Sequence, residues 1–378
     1  MTPRHPADWI ALSLLPGLGP TSFIRLLERY PDPHEIAFDL PAHVVSAGTR
    51  GASAAAIRSA RRNLRRRVDE ELRRAGRAGV RILTRDSADY PAALLEIPTP
   101  PLLLYVKGTL AQDRPRVAVV GSRAATRYGR RFAEEIGAGL AQRGFEVVSG
   151  GARGIDTSAH RGALGAGGVT IVVLGSGLLE PYPPENYRLF EEILENGALV
   201  SEFPMTCPPS TATFPQRNRL VSGLSAAVVV VEAAAKSGAL ITAGHALEQG
   251  REVMAVPGPA TSSHSAGTHR LIQEGAKLVQ EIGDIVEELP PLYRQVLPAG
   301  GELPEKPEKG PDLEDLTKDE RHVLEMLDAV ESIHADDLAL AAPFDVARLQ
   351  VALFGLQLRG AVDLEPGRYY LLRPRREP

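Results

Sequence analysis

Residues 117–135, VAVVGSRAATRYGRRFAEE, join an apolar run, a glycine turn and a segment of helical character. In a dinucleotide-binding fold, glycines in this turn let the pyrophosphate approach, and an acidic residue about 20 positions later binds the ribose. Here Arg123 stands in the turn, and the next apolar run ends in SGGARG with no acidic residue at its tip. The pattern therefore disfavours a nicotinamide dinucleotide. It favours an anionic ligand, because Arg123 and the free N–H groups of the turn both attract phosphate.

Two more basic clusters follow later in the chain. One is residues 217–219, within FPQRNR, at the predicted start of a helix, and the other is residues 236–238, KSG, just before another helix. Both clusters are predicted to lie at the same edge of one sheet as Arg123, where they form a positively polarised surface. The chain contains no GxxxxGK[ST] motif, which disfavours ATP hydrolysis.

Asp156 and His160 lie four positions apart on a predicted helix in SGGARGIDTSAHRGAL. This spacing is compatible with an acid–base pair. Asp156 is also near the helix N-terminus, where aspartate caps, and the histidine can hydrogen-bond within the turn. We favour these structural roles over catalysis. The segment also offers no further ligand beyond Asp156 and His160 that would complete a metal site.

The elements that must position these residues alternate between short apolar strands and helices from about residue 116 to 289. Continuous apolar strands bounded by glycine predict an α/β fold with a parallel sheet covered on both faces. Ligands bind such sheets at the carboxyl ends of the strands. Residues 8–90 have helical periodicity, and their PGLGP turn is either simple packing or a phosphate contact.

The pattern changes again after residue 298, where a stretch rich in proline, glycine and charge predicts a linker. Three helices and two short strands around EPG then predict a winged helix. Its third helix offers few basic and amide side chains, so we favour protein contact or a spacer role over base recognition. The predicted domains are 1–90, 91–290 and 313–378, with 291–312 as the linker.

Composition is that of a globular protein, with 43% apolar and 24% charged residues and a formal net charge of −4. The charge is uneven, since residues 58–81 hold ten arginines against Asp69, Glu70 and Glu71. This basic helix is either a solvated face or a nucleic-acid contact. The single Cys207 excludes an intrachain disulfide, and no apolar run is long enough to span a bilayer. We therefore expect a cytoplasmic protein.

Ordered blocks through residues 100–290 resemble the bacterial DNA-processing protein A (DprA/Smf) family. They are VGSRAATRYG, VSGGARGIDTSAHRGAL, LGSGLLEPYPPENYRLF, ALVSEFP, FPQRNRLVSGLS, VVVEAAAKSGALITA, GREVMAVPG and GTHRLIQEGAKLV. The resemblance implies an N-terminal helical domain like a sterile-alpha-motif fold, an extended Rossmann-like core and a C-terminal winged helix.

The resemblance also implies a function. Members of this family bind single-stranded DNA during natural transformation, protect it and load the RecA recombinase onto it, displacing or tolerating single-strand-binding protein. They are not enzymes in the usual sense, and no cofactor is expected. The resemblance places a homodimer interface at residues 268–279. The predicted DNA contacts are Ser122, Arg123, Gly151, Arg153, Arg217, Asn218, Arg219, Lys236, Ser237 and Gly238.

A different class of function remains open at this point. Related Rossmann-like phosphoribohydrolases bind small nucleotides in a comparable pocket and use a PGGxGTxxE loop. The chain has EAAAKSGALITA there, which argues against hydrolysis of a ribose bond. Double-stranded DNA regulation through the winged helix is a third hypothesis.

Overall fold

The computed structural model describes residues 5–49, 51–112, 114–290, 313, 315–327, 333–365 and 369–372, with side chains described as far as residue 362. The chain forms two compact units, Met1–Ala299 and Gly300–Pro378. The predicted linker at 291–312 lies outside the described residues. The predicted domain boundaries stay predictions.

The chain begins with short helices. They are α1 (Pro6–Ser13), α2 (Pro20–Arg29), a π-helical turn (Glu35–Asp39), α3 (Ala42–Ala47), α4 (Ala54–Arg62) and α5 (Leu64–Arg77). Their apolar faces share one hydrophobic cluster with sheet residues such as Tyr105 and Val172, so they pack directly onto the sheet. The expectation of helix throughout 8–90 is wrong at Arg81–Thr84, which forms a strand. Those four residues gain antiparallel hydrogen bonds to a sheet strand, and this tertiary pairing outweighs the local pattern.

A nine-stranded sheet forms the centre of the first unit. Its strands are β1 (Arg81–Thr84), β2 (Leu103–Gly108), β3 (Arg116–Val120), β4 (Glu146–Ser149), β5 (Thr170–Val173), β6 (Ala198–Ser201), β7 (Ala227–Val230), β8 (Glu252–Ala255) and β9 (Lys277–Leu278). Their order is β1-β2-β6-β5-β4-β3-β7-β8-β9. Strands β3 to β9 pair in parallel, whereas β1 and β2 are antiparallel additions at one edge.

Helices cover both faces of this sheet. They are α6 (Ala92–Leu95), α7 (Arg127–Gln142), α8 (Ile155–Gly165), α9 (Tyr187–Leu194) after a 3-10 turn (Pro184–Asn186), α10 (Thr213–Gly223), α11 (Gly238–Glu248), α12 (Ala266–Gln273) and α13 (Ile282–Glu288). The buried runs of β3, β4, β5 and β7 explain their continuous apolar sequences, because side chains on both faces leave water. The predicted parallel-sheet core is confirmed, with the two antiparallel strands as an addition.

The second unit contains α14 (Lys318–Met326), β10 (Ile333–His334), α15 (Ala335–Ala341), α16 (Val346–Leu358), β11 (Val362–Glu365) and β12 (Tyr369–Leu372). The strands form a small sheet in the order β10-β12-β11. Thr317 and Glu320 form a capping box that starts α14. Three helices followed by a hairpin confirm the predicted winged helix.

No single helix among the described residues has the length and apolar composition needed to cross a membrane. The bent pair of α15 and α16 meets that test by length and composition only.

Candidate nucleic-acid interface

A pocket of about 560 Å³ opens where β3, β4 and β7 reach their carboxyl ends. The strand order reverses between β3 and β7, because β4, β5 and β6 extend to one side and β8 and β9 to the other. Such a switch point leaves a crevice in open α/β sheets. The pocket is lined by the Arg123 turn and by residues of both basic clusters, 217–219 and 236–238. The expected convergence of these segments is therefore observed.

A glycine lets the Arg123 turn and the loop between β4 and α8 approach each other closely. Gly154 has a positive φ of 78°, and a Cβ there would lie 2.3 Å from the carbonyl oxygen of Ser122. The N–H of Ile155 donates to the same oxygen at 3.2 Å. A side chain at position 154 would therefore push the Arg123 turn away from the start of α8.

Arg123 is exposed at the mouth of the pocket, and its guanidinium lies 5.0 Å from the centre of the Phe214 ring. This distance is within the range of a cation–π interaction. Tyr182 lies beside the same ring, with ring centres 5.8 Å apart. Phe214 is a site residue that the sequence reasoning missed. Its position three residues before Arg217 on one helix was the available signal.

Lys236 is exposed on the opposite lip, directly before α11. Among the described residues it forms no ion pair. The Ser237 hydroxyl caps α11 by accepting from the N–H of Ala239, and the N–H of Gly238 donates to no described acceptor. The predicted helix start at residues 236–238 is thus correct, and it supplies a positively polarised helix end beside a free lysine.

Arg217 reaches the floor of the pocket and is only 4% exposed. Its guanidinium donates to the carbonyl oxygen of Gly150 at 2.5 Å and to that of Val173, so it holds the ends of β4 and β5. Burial lowers the pKa of Arg217 to about 10, and the charge of Arg123 acts in the same direction. The side chain therefore stays charged at neutral pH.

Arg219 does not line the pocket. Its guanidinium forms two contacts of 2.6 Å with the Glu202 carboxylate, and the two side chains are 7% and 12% exposed. The helix α10 begins at Thr213, so residues 217–219 occupy its second turn and not its start as expected. Side chains at neighbouring positions of a helix point about 100° apart, so Asn218 faces the pocket and Arg219 faces Glu202. Its role as a DNA contact stays a prediction.

The other predicted contacts are placed around the pocket. Asn218 lines it and donates to the carbonyl oxygen of Gly238 at 3.3 Å, which links the second and third basic clusters. Arg153 borders a small adjoining recess with Arg123 and pairs with Glu185 at 2.5 Å. Gly151 lies outside the lining and has a φ of 67°, where its carbonyl oxygen accepts from Asn186.

Asp156 and His160 have structural partners. The Asp156 carboxylate accepts from the N–H groups of Gly150 and Ala152, so it ties the preceding loop to α8. Burial raises its pKa. His160 is fully buried and contacts Thr170 on β5 at 2.6 Å, not a group in its own turn. Each of the two side chains therefore has a partner of its own, which agrees with the structural interpretation.

Glu232 is a second residue that the sequence reasoning missed. Its buried carboxylate accepts from the N–H of Thr126 at 2.9 Å and from the Thr126 hydroxyl. Thr126 is the N-cap of α7, so Glu232 fixes the helix that follows the Arg123 turn. A Cβ at Gly129 would lie 2.4 Å from this carboxyl carbon, which explains the glycine.

The winged helix presents a different surface. Arg348 forms a two-contact ion pair with Asp319, and Arg359 pairs with Glu320. The exposed positions of α16 include Val351, Phe354 and Leu358. Arg348 and Arg359 thus pair with carboxylates of α14, and the exposed face of α16 includes several apolar side chains.

Within the described part of the chain, no group of three or more histidine, cysteine, aspartate or glutamate side chains is placed to hold a metal ion. Cys207 is a free thiol, and burial raises its pKa.

Two family models match the chain. One, described as DNA recombination-mediator protein A, matches residues 81–290, and the other, the DprA winged helix domain, matches residues 307–368. The chain is 43% identical over 294 residues to protein Smf of Escherichia coli, covering 77% of each chain. It is 39% identical over 344 residues to a putative DNA processing protein DprA of Mycobacterium tuberculosis, covering 87% of this chain and 86% of the relative.

Solved structures are similar as well. The X-ray structure of DNA processing protein A from Streptococcus pneumoniae aligns with a TM-score of 0.68 and 33% identity, covering 76% of this chain and 99% of that one. A Helicobacter pylori DNA processing protein A, described for its unique single-stranded DNA binding mode, aligns with a TM-score of 0.50 and 30% identity. That alignment covers 56% of this chain and 96% of the other.

Proposed function

Because the chain belongs to the DNA-processing protein A (DprA/Smf) family, we propose that it binds single-stranded DNA and acts as a recombination mediator, without a catalytic step of its own. One observation carries this proposal. Arg123 and Lys236 are exposed cations on two sides of the same pocket, and neither has a carboxylate partner among the described residues. The pocket is therefore suited to a ligand that brings its own negative charge.

The binding mode follows from the groups that line the pocket. Arg123 and Lys236 contact phosphates, and the N–H of Gly238 at the start of α11 adds a third donor. Phe214 offers an aromatic face against which a base or ribose stacks. These contacts address the backbone and the π-face of any base, so binding is independent of sequence.

The buried residues around the pocket act as supports. Arg217 holds the strand ends with its guanidinium and adds positive potential from below. Asp156 keeps the loop between β4 and α8 in place through two N–H groups. Arg153, Ser122 and Ser237 border the same surface and complete the proposed DNA contacts.

The wider role rests on membership of the family. We infer that the protein protects incoming single-stranded DNA during natural transformation and loads RecA recombinase onto it, in contact with single-strand-binding protein. The apolar face of α16 supports a protein partner for the winged helix over base recognition.

A homodimer through residues 268–279 is part of the same proposal. This segment contains most of α12 and the strand β9, which ends the strand order of the large sheet. One side of β9 is therefore unpaired within the described chain, and Leu278 on it is 36% exposed. An unpaired edge with an exposed apolar side chain is suited to pairing with a second copy.

The small-nucleotide enzyme is the alternative, and the pocket volume of about 560 Å³ is large enough for a nucleotide. Among the described lining residues, Asp156 supplies the carboxylate, but this side chain is buried, with 6% exposure, and one of its oxygens accepts from the N–H groups of Gly150 and Ala152. Attack on a ribose bond needs an acidic group that reaches the ligand, so we expect no products when nucleoside monophosphates are incubated with the protein and separated by chromatography.

The DNA-binding proposal is tested by replacing Arg123 and Lys236 together with alanine. Two lost phosphate contacts should weaken binding to oligo-dT at least ~10-fold and lower the salt slope by about 1.4, at about 0.7 per contact on a single strand. Fluorescence anisotropy over a salt series measures both. The control variant combines Arg188→Ala with Lys318→Ala. It also removes one arginine and one lysine, but outside the pocket, and should bind oligo-dT like the wild type. Unaltered affinity in the pocket variant contradicts the assignment.

A further inference from the structure

The helices α4 and α5 present a dense array of arginines on the surface of the first unit. Seven of them are exposed, and none forms an ion pair with a carboxylate among the described residues. The seven are Arg58, Arg62, Arg65, Arg66, Arg67, Arg73 and Arg77. By contrast, Arg61 is turned inward to the carbonyl oxygens of Ile36 and Leu40, and Arg74 lies near Glu70 and Glu71. The array therefore holds no ion-paired carboxylate, and Asp69 is the exposed acidic side chain within it.

Three of these arginines form a straight stripe on α5. Arg66, Arg73 and Arg77 occupy positions i, i+7 and i+11, which share one face of a helix. The opposite face, which includes Leu64 and Val68, is buried against the sheet. The stripe therefore points directly outward and extends over about 16 Å of helix axis.

One pair of charges within the stripe is unfavourable for the helix. Arg73 and Arg77 are like charges at i and i+4, a spacing that destabilises helices by a few tenths of a kcal/mol per pair. Asp69 lies one turn before Arg73. The Arg73 guanidinium donates to the backbone carbonyl oxygen of Asp69 and forms no ion pair with its carboxylate. Among the described residues, the exposed side chains of Arg66 and Arg77 form no hydrogen bond or ion pair, so both are available to an external anion.

Helix α5 is fixed to the body that carries the pocket. The buried Glu71 carboxylate accepts from the N–H of Met205 at 2.5 Å, and Met205 packs in the same apolar cluster as Val68. Residues 205–212 lead directly into α10, whose first turn contributes Phe214 to the pocket. The stripe and the pocket thus belong to one compact unit.

We propose that Arg66, Arg73 and Arg77 form a second binding surface for the sugar–phosphate backbone of single-stranded DNA. It binds a part of the strand that the pocket does not hold. The proposal rests on the proposed function, because the same polymer must occupy the pocket. A pocket of about 560 Å³ holds only a few nucleotides, so a longer strand must continue over the protein surface.

Oligonucleotide length provides the test. The full chain carrying Arg66→Gln, Arg73→Gln and Arg77→Gln keeps strong helix formers on the surface. A short oligo-dT that fills only the pocket should bind with unchanged affinity. A long oligo-dT should bind about tenfold more weakly, with the salt slope reduced by about 2, since three contacts at about 0.7 each are lost.

A matched variant controls for net charge. Arg131→Gln, Arg161→Gln and Arg188→Gln remove three charges from other helices of the same unit, and binding of both lengths should match the wild type. Circular dichroism verifies folding of both triple variants. Equal weakening for short and long strands, equal weakening in the control, or unchanged binding of the long strand overturns the proposal. A wild-type protein that binds no oligo-dT contradicts the proposed function instead.

Discussion

Replacing Arg219 separates a structural role from a role in DNA binding. The Arg219 guanidinium and the Glu202 carboxylate meet through two 2.6 Å contacts in a site that is almost closed to water. Arg219→Ala leaves the Glu202 carboxylate buried without its partner. Breaking a buried pair in this way costs about 3–5 kcal/mol. For a unit of this size that corresponds to a decrease in melting temperature of about 10 °C.

Single-stranded DNA affinity should change little, by less than about threefold at a temperature where the variant is folded. Arg219 does not line the pocket, so no phosphate contact is lost. Arg219→Met combined with Glu202→Leu removes both charges and should recover most of the stability, because well-packed apolar side chains replace the pair. Differential scanning calorimetry and fluorescence anisotropy, on the same preparations, measure the two quantities.

A purely structural role of Arg219 is contradicted if Arg219→Ala melts like the wild type and loses DNA affinity. That result would show Arg219 to be a phosphate contact, as the sequence alone led us to expect. Recovery of stability without recovery of affinity in the double variant would lead to the same conclusion.

Three further predictions concern other parts of the molecule. Glu232→Gln should reduce the free energy of unfolding by about 1–2 kcal/mol, because the Thr126 N–H loses a charged acceptor, and Glu134→Gln is the surface control. Burial lowers the pKa of His160 to about 3. Between about pH 6.5 and pH 3 the unfolded chain therefore binds one proton more than the folded chain. The free energy of unfolding decreases as the pH is lowered through this range, by up to about 1.4 kcal/mol per pH unit. His160→Asn should flatten this acid limb in urea titrations, and an unchanged slope would contradict the burial argument. A chain ending at residue 290 should keep most of its single-stranded DNA affinity in a gel shift, and complete loss would favour a role of the winged helix in binding DNA.

The parallel core, the winged helix and the convergence of Arg123 with the two basic clusters could be predicted from the amino-acid sequence. Apolar strands between glycines and helices allow few topologies, and the carboxyl ends of parallel strands meet at one edge. Arg123 and the 236–238 helix start were therefore placed correctly from local pattern alone. The antiparallel strands β1 and β2 were not, since their hydrogen bonds depend on partners distant in sequence.

The partner of each arginine could not be predicted in this way, because it depends on the tertiary structure. Arg123, Arg217 and Arg219 look alike in sequence, yet one is exposed over Phe214, one binds strand carbonyl oxygens and one pairs with Glu202. A guanidinium binds phosphate, carbonyl or carboxylate oxygens with similar geometry, so its partner is fixed by which groups folding brings within reach. The same reason explains why Glu232 and Phe214 were missed, because their partners, Thr126 and Arg123, come from the first loop, about a hundred residues away in the sequence.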